Sequence, residues 1–238
     1  MGNSFATISS IGPNGAVIHY EPEKDTALKM NNKEVYLLDS GGQYLDGTTD
    51  VTRTLHFTEP TAYQREMYTR VLLGNLDLER LIWSKSSRFT GSDMDVLARR
   101  PLWDVGEDYA HATGHGVGYF LCVHEDPIII CKHNDGIILT EGMCASNEPG
   151  FYKDGEFGIR IENVMMVVTD KARPDYYAWE NLTILPYCRE LIDTKFLQKK
   201  DIDFLNAFHK HVEEVLSKCL CEDDKLTREY LKKQCAPL

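Results

Sequence analysis

Three early segments of the chain carry the pattern of β-strands. The residues from Gly15 to Tyr20 and from Glu34 to Asp39 are rich in β-branched and aromatic side chains and are bounded by turn formers. Asp46-Gly47 then marks a turn, and a third strand is predicted from Asp50 to His56. Because side chains alternate along a strand, Asp39 ends the otherwise apolar face of the second strand, where a buried carboxylate needs a partner.

Apolar spacings of three and four residues follow, which are typical of amphipathic helices. Thr61 to Trp83 carries such a stripe, and a shorter helix is predicted from Ser92 to Arg100, ending before Pro101. The tail from Lys199 to Cys235 is helical in pattern as well. Its stripe consists of Phe204, Phe208, Val212, Val215 and Cys219. Both stripes are explained by packing against a core or at an interface.

Between the second helix and the tail, the sequence from His111 to Val168 is rich in glycine and β-formers. Within it, Ile159 and Ile161 alternate with Arg160 and Glu162, so the two charged side chains point to one face. The pattern therefore predicts a second β-rich segment that presents charge on one side.

Composition and charge narrow the classes of function. Of the 238 residues, 42% are hydrophobic and 26% are charged, which are ordinary values for a folded globular protein. The 26 basic side chains are outnumbered by 37 acidic ones, so the formal net charge is −11. This excess argues against nucleic acid or an anionic membrane as the main partner, since both need a basic face. No apolar run exceeds five residues, so no segment is expected to span a bilayer.

The cysteines and the N-terminus indicate the compartment. Seven cysteines are scattered without a CxxC pair, and their odd number is unlike a secreted disulfide framework. The N-terminus lacks the charged and apolar regions of a signal peptide. We therefore expect reduced thiols in a cytoplasmic protein.

Five polar residues stand in strand-like or glycine-rich sequence, where plain packing would not place them. They are Asp39, Asp50, His115, Glu148 and Glu162. Glycines beside several of them allow a ligand to approach the backbone closely. Each residue alone has an ordinary explanation: Asp39 could cap a turn, His115 could be a satisfied core histidine, and Glu162 could pair with a neighbouring arginine. The combination of all five suggests a shared site.

In their order and context, these five residues resemble the Asp, Asp, His, Glu, Glu metal-ligand set of the pita-bread metallopeptidases. The local sequence is similar to the X-prolyl aminopeptidase (aminopeptidase P) branch, particularly its eukaryotic cytosolic members, and the similarity runs from Ser4 to Asp193. This resemblance implies an α+β pita-bread (creatinase/aminopeptidase) fold, with a curved antiparallel sheet flanked by helices. The implied division is a catalytic domain over residues 1–185 and a C-terminal helical extension over residues 186–238.

The resemblance also implies a dinuclear site, in which Asp50 and Glu162 bridge two divalent cations. Asp39 would chelate one cation, whereas His115 and Glu148 would complete the other. Four converging carboxylates repel one another, and two divalent ions would balance their charge. Oxygen-rich ligation with one imidazole suits a hard ion such as Mn²⁺. With the four positive charges of two such ions, the formal net charge of −11 becomes −7.

Further residues resemble the catalytic and substrate-contacting residues of the family. The histidines concerned are His19 in Val-Ile-His-Tyr, His111, and His124 in Val-His-Glu-Asp-Pro. The resemblance implies that they bind the substrate and stabilise the transition state. It also implies that Glu148 accepts the proton of the nucleophilic water and that Arg160 orients Glu162. The histidines that match nothing are His56, His133, His209 and His211.

The implied activity is that of a metalloaminopeptidase that removes the N-terminal residue from peptides with proline at the second position, by a metal-bridged hydroxide. A prolidase, which accepts only X-Pro dipeptides, shares the fold and the ligands and is an alternative. An inactive pita-bread module that binds peptides is another. The helical tail resembles the extension through which eukaryotic members form homodimers, although packing on the same chain would explain its stripe equally well.

The chain departs from the family pattern in two respects. Ala112 stands where the family's His-Gly-Thr-Gly-His sequence has its first glycine, and a positive φ at this position would strain the loop that carries His111. The chain also starts almost at its first strand, where members of the family have further domains and helices. We therefore expect a truncated form with reduced stability or impaired activity.

Overall fold

The computed structural model describes residues 1–132 and 136–238, so His133 lies outside the described residues. The strands are β1 (Gly2–Asn3), β2 (Ile8–Ile11), β3 (Tyr36–Ser40), β4 (Gly42–Gln43), β5 (Val51–Leu55), β6 (Ile82–Ser84), β7 (Gly114–Gly116), β8 (Glu125–Ile130), β9 (Cys144–Asn147), β10 (Gly150–Lys153), β11 (Phe157–Arg160), β12 (Asn163–Thr169) and β13 (Tyr176–Asn181). The α-helices are α1 (Ala62–Glu79), α2 (Gly91–Trp103), α3 (Lys199–Cys219) and α4 (Lys225–Gln234). No helix in this described part of the chain has the length and apolarity needed to cross a bilayer.

The strands pair in antiparallel fashion, as the α+β prediction requires. One sheet has the order β6-β13-β12-β9-β7-β8, a second has the order β2-β3-β5, and β10–β11 and β1–β4 form two-stranded pairs. In the second sheet, Asp39 lies opposite Thr52. In the first, Asn163 lies opposite Asn147. Glu162 directly precedes Asn163, and Glu148 directly follows Asn147. Because the strands are antiparallel, these two glutamates lie at the same end of the sheet.

Helix α1 forms the centre of the main core. The helix begins at a capping box, in which the Gln64 amide N–H donates to Thr61 Oγ1 at 3.2 Å and the Thr61 amide N–H donates to Gln64 Oε1 at 2.8 Å. Its buried stripe packs with the hairpin β10–β11 and with the C-terminal residues. The main members of this core are Met67, Val71, Leu72, Leu76, Phe151, Ile159, Ile161, Tyr187 and Leu205. A second cluster joins α2 to the six-stranded sheet and includes Met94, Ala98, Trp83, Ile130, Met165 and Val167.

The strand predicted from Gly15 to Tyr20 is wrong. Residues Gly12–Ala16 form a 3₁₀ turn that contains Pro13, and residues 17–20 have no strand structure. The reason is tertiary, because this turn packs against β11. A Cβ on Gly158 would collide with the carbonyl oxygen of Gly15, so the close approach needs glycine there. The packing brings the following residues, His19 among them, to the cavity described below.

Two helix boundaries also differ from their predictions. Helix α1 ends at Glu79 rather than at Trp83, because Ile82–Ser84 pairs with β13 as an edge strand. Helix α2 does not stop before Pro101 but continues to Trp103. Pro101 is buried in the last turn, and Arg70 Nη1 donates to its carbonyl at 3.0 Å. Packing against α1 therefore outweighs the tendency of proline to end a helix.

The tail forms two helices rather than one, with a break over residues 220–224. Much of its predicted stripe packs on the same chain: Phe204 and Phe208 lie against the main core, and Val212 packs with Leu231 and Cys235. Cys219 is exposed and does not belong to the buried stripe. Dimerisation through this tail and the division at residue 185 stay predictions.

Candidate metal centre and active site

A cavity of about 260 Å³ lies where the two main sheets and the hairpin β10–β11 meet. Every residue that the sequence analysis assigned to the site lines it, namely His19, Asp39, Asp50, His111, His115, His124, Glu148, Arg160 and Glu162. Ala112 and three apolar residues, Phe5, Ile8 and Ile18, complete the described lining. The fold thus gathers residues from both halves of the chain around one space.

Strand β5 holds the first group of carboxylates in place. Asp50 directly precedes β5, and Asp39 lies on the neighbouring strand opposite Thr52. The Thr52 hydroxyl donates to Glu162 Oε2 at 2.8 Å, and the Glu162 amide N–H donates to the Thr52 carbonyl at 3.1 Å. Thr52 therefore fixes both the backbone and the side chain of Glu162 beside the two aspartates.

His115 and Glu148 are held together by Ser146. The Ser146 hydroxyl accepts from the His115 amide N–H at 2.9 Å and donates to Glu148 Oε1 at 3.0 Å. The Glu148 amide N–H donates to the Thr113 carbonyl at 2.7 Å. His115 Nδ1 donates to the Gly116 carbonyl at 2.9 Å, so its Nε2 is left to face the carboxylates.

The potential ligand atoms lie close enough for two cations. In a first group, one carboxylate oxygen from each of Asp39, Asp50 and Glu162 lies within 4.8 Å of the other two. In a second group, one ligand atom from each of His115, Glu148 and Glu162 lies within the same distance of the other two. Glu162 belongs to both groups. His115 Nε2 lies 3.2 Å from Glu148 Oε1 and 3.5 Å from Asp50 Oδ2, which joins the two groups.

The electrostatics of the cluster follow from burial and crowding. Burial, followed by repulsion from neighbouring carboxylates, raises the pKa of Asp50 to about 7 and the pKa of Glu162 well above its usual value. Burial also raises the pKa of Asp39, although Arg160 opposes this effect. Three of the four carboxylates are thus gathered at the expense of their own ionisation, and positive charge is required to stabilise them together.

His115 and Glu148 behave as an ion pair within this cluster. Burial alone would lower the pKa of His115, but its hydrogen bond to Glu148 and the charge of that carboxylate raise it to about 9. The same contact lowers the pKa of Glu148, although burial alone would raise it. The contact between the two groups thus favours the charged form of each over its neutral form.

The residues present fit a pair of divalent cations. Asp39 Oδ1 is buried and has no hydrogen-bond partner among the described residues, although an unpartnered buried oxygen is costly. A hard cation would supply the missing partner. The donor set of carboxylate oxygens with one imidazole suits such ions better than thiolate-loving metals.

Arg160 contacts the cluster from behind. Its Nη2 donates to Asp39 Oδ2 at 2.9 Å, its Nη1 to the Tyr152 hydroxyl at 2.9 Å, and its Nε to Thr52 Oγ1 at 3.2 Å. Arg160 is thus bound directly to Asp39, and it reaches Glu162 only through the Thr52 hydroxyl. Its predicted role of orienting Glu162 would be exerted by this indirect route.

The three predicted substrate histidines differ in their surroundings. His111 Nδ1 donates to the Ala112 carbonyl at 2.7 Å, so its Nε2 accepts from the Tyr152 hydroxyl at 2.8 Å. Both ring nitrogens of His111 are therefore engaged by the protein. Among the described residues, no hydrogen bond engages the ring nitrogens of His19 or His124, whose rings line the cavity. Burial, followed by repulsion from other histidines, lowers the pKa of His124 and keeps its ring neutral.

Sequence reasoning missed three residues that organise the site, Thr52, Ser146 and Tyr152. Thr52 could have been found, because it shares one face of the predicted third strand with Asp50. Tyr152 carried no such signal. The strain expected at Ala112 is absent, because Leu121, at φ 55°, is the only non-glycine residue with positive φ in the described ranges.

Comparison with known proteins agrees with this architecture. A "Probable Xaa-Pro aminopeptidase P" of Pyrenophora teres is 50% identical over 245 residues, covering 100% of this chain and 37% of its own length. The crystal structure of X-prolyl aminopeptidase from Caenorhabditis elegans, described as a cytosolic enzyme with a di-nuclear active site, matches with a TM-score of 0.92 at 36% identity. That match covers 99% of this chain and 39% of the other, and it confirms the predicted pita-bread fold.

A prolidase of known structure is similar as well. The enzyme from Thermococcus sibiricus matches with a TM-score of 0.62 at 30% identity, over 74% of this chain and 45% of its own. The chain thus spans about two fifths of the lengths of the curated relative and the X-prolyl aminopeptidase structure that it matches, 37% and 39%. A family model for the C-terminal region of peptidase M24 matches residues 175–238, and the model for metallopeptidase family M24 matches residues 1–170. With its buried cluster of carboxylates and one imidazole, the chain belongs to metallopeptidase family M24.

Proposed function

We propose that this chain is the catalytic part of an X-Pro aminopeptidase, which removes the N-terminal residue from peptides whose second residue is proline. The observation that carries the proposal is the convergence of Asp39, Asp50, His115, Glu148 and Glu162 in one cavity. The similarity to proteins named Xaa-Pro aminopeptidase supports the choice of substrate.

The five converging residues would hold two divalent cations, for which we propose Mn²⁺. Asp50 and Glu162 would bridge the pair, Asp39 would bind one ion, and the remaining two residues would bind the other. When bound, such ions lower the pKa of water and polarise the carbonyl that is attacked. Support for two ions comes from Glu162, which belongs to two groups of neighbouring ligand atoms, one with Asp39 and Asp50 and the other with His115 and Glu148.

The protein's own residues would bind the peptide and move protons. Glu148 is suited to accept a proton from the attacking water, because its carboxylate lines the cavity beside the other proposed ligands. His19 and His124 can donate to the peptide carbonyl or to the developing oxyanion, because no described protein group occupies their ring nitrogens. His111 would contact the substrate with its ring, while Tyr152 and Ala112 hold its nitrogens.

A prolidase that accepts only X-Pro dipeptides is the second candidate, favoured by the similarity to the prolidase from Thermococcus sibiricus. The two activities are separated by the length of the substrate. Purified 238-residue chain would be assayed with Arg-Pro-Pro and with Gly-Pro, with and without added Mn²⁺, beside metal analysis of the same sample. We expect Mn²⁺-dependent hydrolysis of Arg-Pro-Pro. Hydrolysis of Gly-Pro alone would establish the prolidase instead.

The substitution Glu148→Gln tests whether the site is catalytic at all. It keeps the size of the side chain but removes the proton acceptor, so we expect kcat to fall by roughly 10² to 10⁴-fold. Glu156→Gln, on an exposed turn, is the matched control and should hydrolyse Arg-Pro-Pro as the unaltered chain does. Equal hydrolysis by the Glu148→Gln chain would show that the cluster is idle and would favour a peptide-binding module.

The proposed location is the cytoplasm, supported by the cytosolic C. elegans relative. We also propose a homodimer that forms through the C-terminal extension. Its support is that Cys219, the last residue of the α3 stripe, is exposed and that Val215 is only half-buried on this chain. Sedimentation of the purified chain tests the dimer, and a monomer at micromolar concentration would contradict it.

A further inference from the structure

Arg53, at the centre of β5, has an unusual environment for an arginine. The residue is only 6% exposed, and all five N–H groups of its guanidinium donate to protein atoms. Nε donates to the Pro186 carbonyl at 3.1 Å, and Nη2 to the Leu185 carbonyl and Asn163 Oδ1, each at 2.9 Å. Nη1 donates to the Glu162 carbonyl at 2.6 Å and to the Thr52 carbonyl at 3.0 Å.

Each of these acceptors is an uncharged oxygen rather than a carboxylate. A buried guanidinium that is hydrogen-bonded to no carboxylate is costly, and an apolar residue of similar volume would usually serve the core better. The planar fork of arginine, however, can bind several carbonyls at fixed angles at the same time, which lysine cannot do. The geometry therefore indicates that these particular carbonyls have to be held in place.

One of the carbonyls belongs to a proposed metal ligand. The carbonyl of Glu162 is held by Arg53, its amide N–H by the Thr52 carbonyl at 3.1 Å, and its carboxylate by the Thr52 hydroxyl at 2.8 Å. Because Arg53 binds the main chain of Glu162 and not its side chain, the carboxylate oxygens are left to face the cavity. Both backbone groups of the proposed ligand are thus fixed by hydrogen bonds from residues of β5.

The other contacts of Arg53 lead to the C-terminal segment. Its guanidinium lies 5.0 Å from the centre of the Tyr187 ring, next to the Leu185 and Pro186 carbonyls that it holds. The Tyr187 ring is 5.2 Å from the Phe208 ring, and the Tyr187 amide N–H donates to His209 Nε2 at 3.2 Å. One side chain therefore connects helix α3 to the backbone of Glu162.

We propose that Arg53 is a positioning residue, which holds the backbone of Glu162 so that its carboxylate can bind both cations and which links that geometry to the docking of the C-terminal segment. The proposal rests on the proposed metal centre. Residues that hydrogen-bond to a metal ligand without binding the metal themselves commonly contribute 10- to 100-fold to metal affinity, and we expect an effect of this size.

The test compares Arg53→Met and Arg53→Lys with Arg80→Met and Arg80→Lys. Arg80 is a matched control, because it joins α1 to α3 through Asp201 at 2.7 Å and does not line the cavity. Mn²⁺ affinity would be measured by titration calorimetry, and the absorption spectrum of bound Co²⁺ would report ligand geometry. Both are recorded well below the melting temperature, on chains whose circular dichroism is that of the unaltered protein.

We expect Arg53→Met to bind Mn²⁺ 10- to 100-fold more weakly and to change the Co²⁺ spectrum, with Arg53→Lys intermediate and both Arg80 variants unchanged. A purely structural role would lower the melting temperature of the Arg53 variants but leave affinity and spectrum as in the unaltered chain, which overturns the proposal. If Arg53→Met does not fold, Arg53→Lys decides by the same criterion. An unaltered chain that binds no Mn²⁺ refutes the metal centre itself, which is a distinct result.

Discussion

Glu79, the last residue of α1, should make the stability of this protein depend on pH. Its side chain is 8% exposed, and its oxygens accept from Asn181 Nδ2 at 3.1 Å and from Asn163 Nδ2 at 3.5 Å. Burial raises the pKa of Glu79 from 4.5 to about 7, because these bonds and the nearby Arg53 compensate only in part. The folded state thus holds a proton that the unfolded chain releases.

The sign and size follow from proton linkage. Between pH 4.5 and pH 7 the folded state binds more protons at Glu79 than the unfolded state, so the free energy of unfolding falls as pH rises. One pKa unit corresponds to about 1.4 kcal/mol, so the full effect is about 3 kcal/mol, of which about 2.5 kcal/mol is lost between pH 5 and pH 8. Below pH 4.5 both states are protonated and the stabilisation is fully present.

The substitution Glu79→Gln removes this titration. Urea unfolding of both chains at several pH values, with a chelator present, should show the variant gaining about 2.5 kcal/mol over the unaltered chain from pH 5 to pH 8. The exposed Glu180→Gln is the control and should show a constant difference. A constant difference for Glu79→Gln would refute the reasoning, since it would mean that Glu79 ionises in the folded state as readily as in water.

Three further predictions concern packing, a buried histidine and the metal. Gly158→Ala should destabilise the chain by about 2 kcal/mol or more in urea unfolding, because its Cβ would collide with a backbone carbonyl, whereas Gly47→Ala, with open space around it, should not. Burial lowers the pKa of His209 from 6.5 to about 4, so the unfolded state binds the extra proton. The contribution of His209 to stability should therefore fall by about 3 kcal/mol from pH 7 to pH 4. His209→Asn should abolish that loss while His211→Asn, exposed on the same helix, keeps it. Removing bound Mn²⁺ with a chelator should lower the melting temperature, because an ion at 100 times its Kd stabilises the folded state by about 2.7 kcal/mol. An unchanged melting temperature would contradict the metal centre.

The protonation of Glu79 and of His209 changes the stability of the folded state in opposite directions, so each effect has to be measured on a variant of that residue. As the pH falls from 6.5 to 4.5, Glu79 stabilises the folded state while His209 destabilises it. The two trends offset each other, so the overall curve can be nearly flat even when both predictions are correct. If the unaltered chain and His209→Asn lose stability equally on acidification, His209 is not buried in its neutral form.

Much of the candidate site could be predicted from the sequence because its residues stand in recognisable local patterns. The strand that carries Asp39 and the strand after Asp50 are visible from their β-branched and aromatic residues and the turn formers that bound them, and both exist in the structure. The alternation of Arg160 and Glu162 with buried isoleucines likewise placed both charges on the side of the cavity. These signals are local, since each depends on neighbours within two to four positions.

Local pattern failed where a distant contact decides the conformation. The β-branched residues near Gly15 favour a strand, yet their turn packs against Gly158 and forms none. Pro101 should end a helix, but burial against α1 keeps the last turn helical. In the tail, one apolar stripe became two helices that pack on each other and on the core. In each case the free energy of burial exceeds the local preference.

The sequence by itself determined which side chains are available for chemistry: the carboxylates, the histidine ligand and the sequence contexts that resemble a peptidase. Only the tertiary structure decided how they are held. The hydrogen bond from Thr52 to Glu162 joins residues 110 positions apart, and the one from Arg53 to Pro186 joins residues 133 positions apart. No period or spacing encodes such a pair, because the contacts exist only after the chain has paid the entropy of bringing its two halves together.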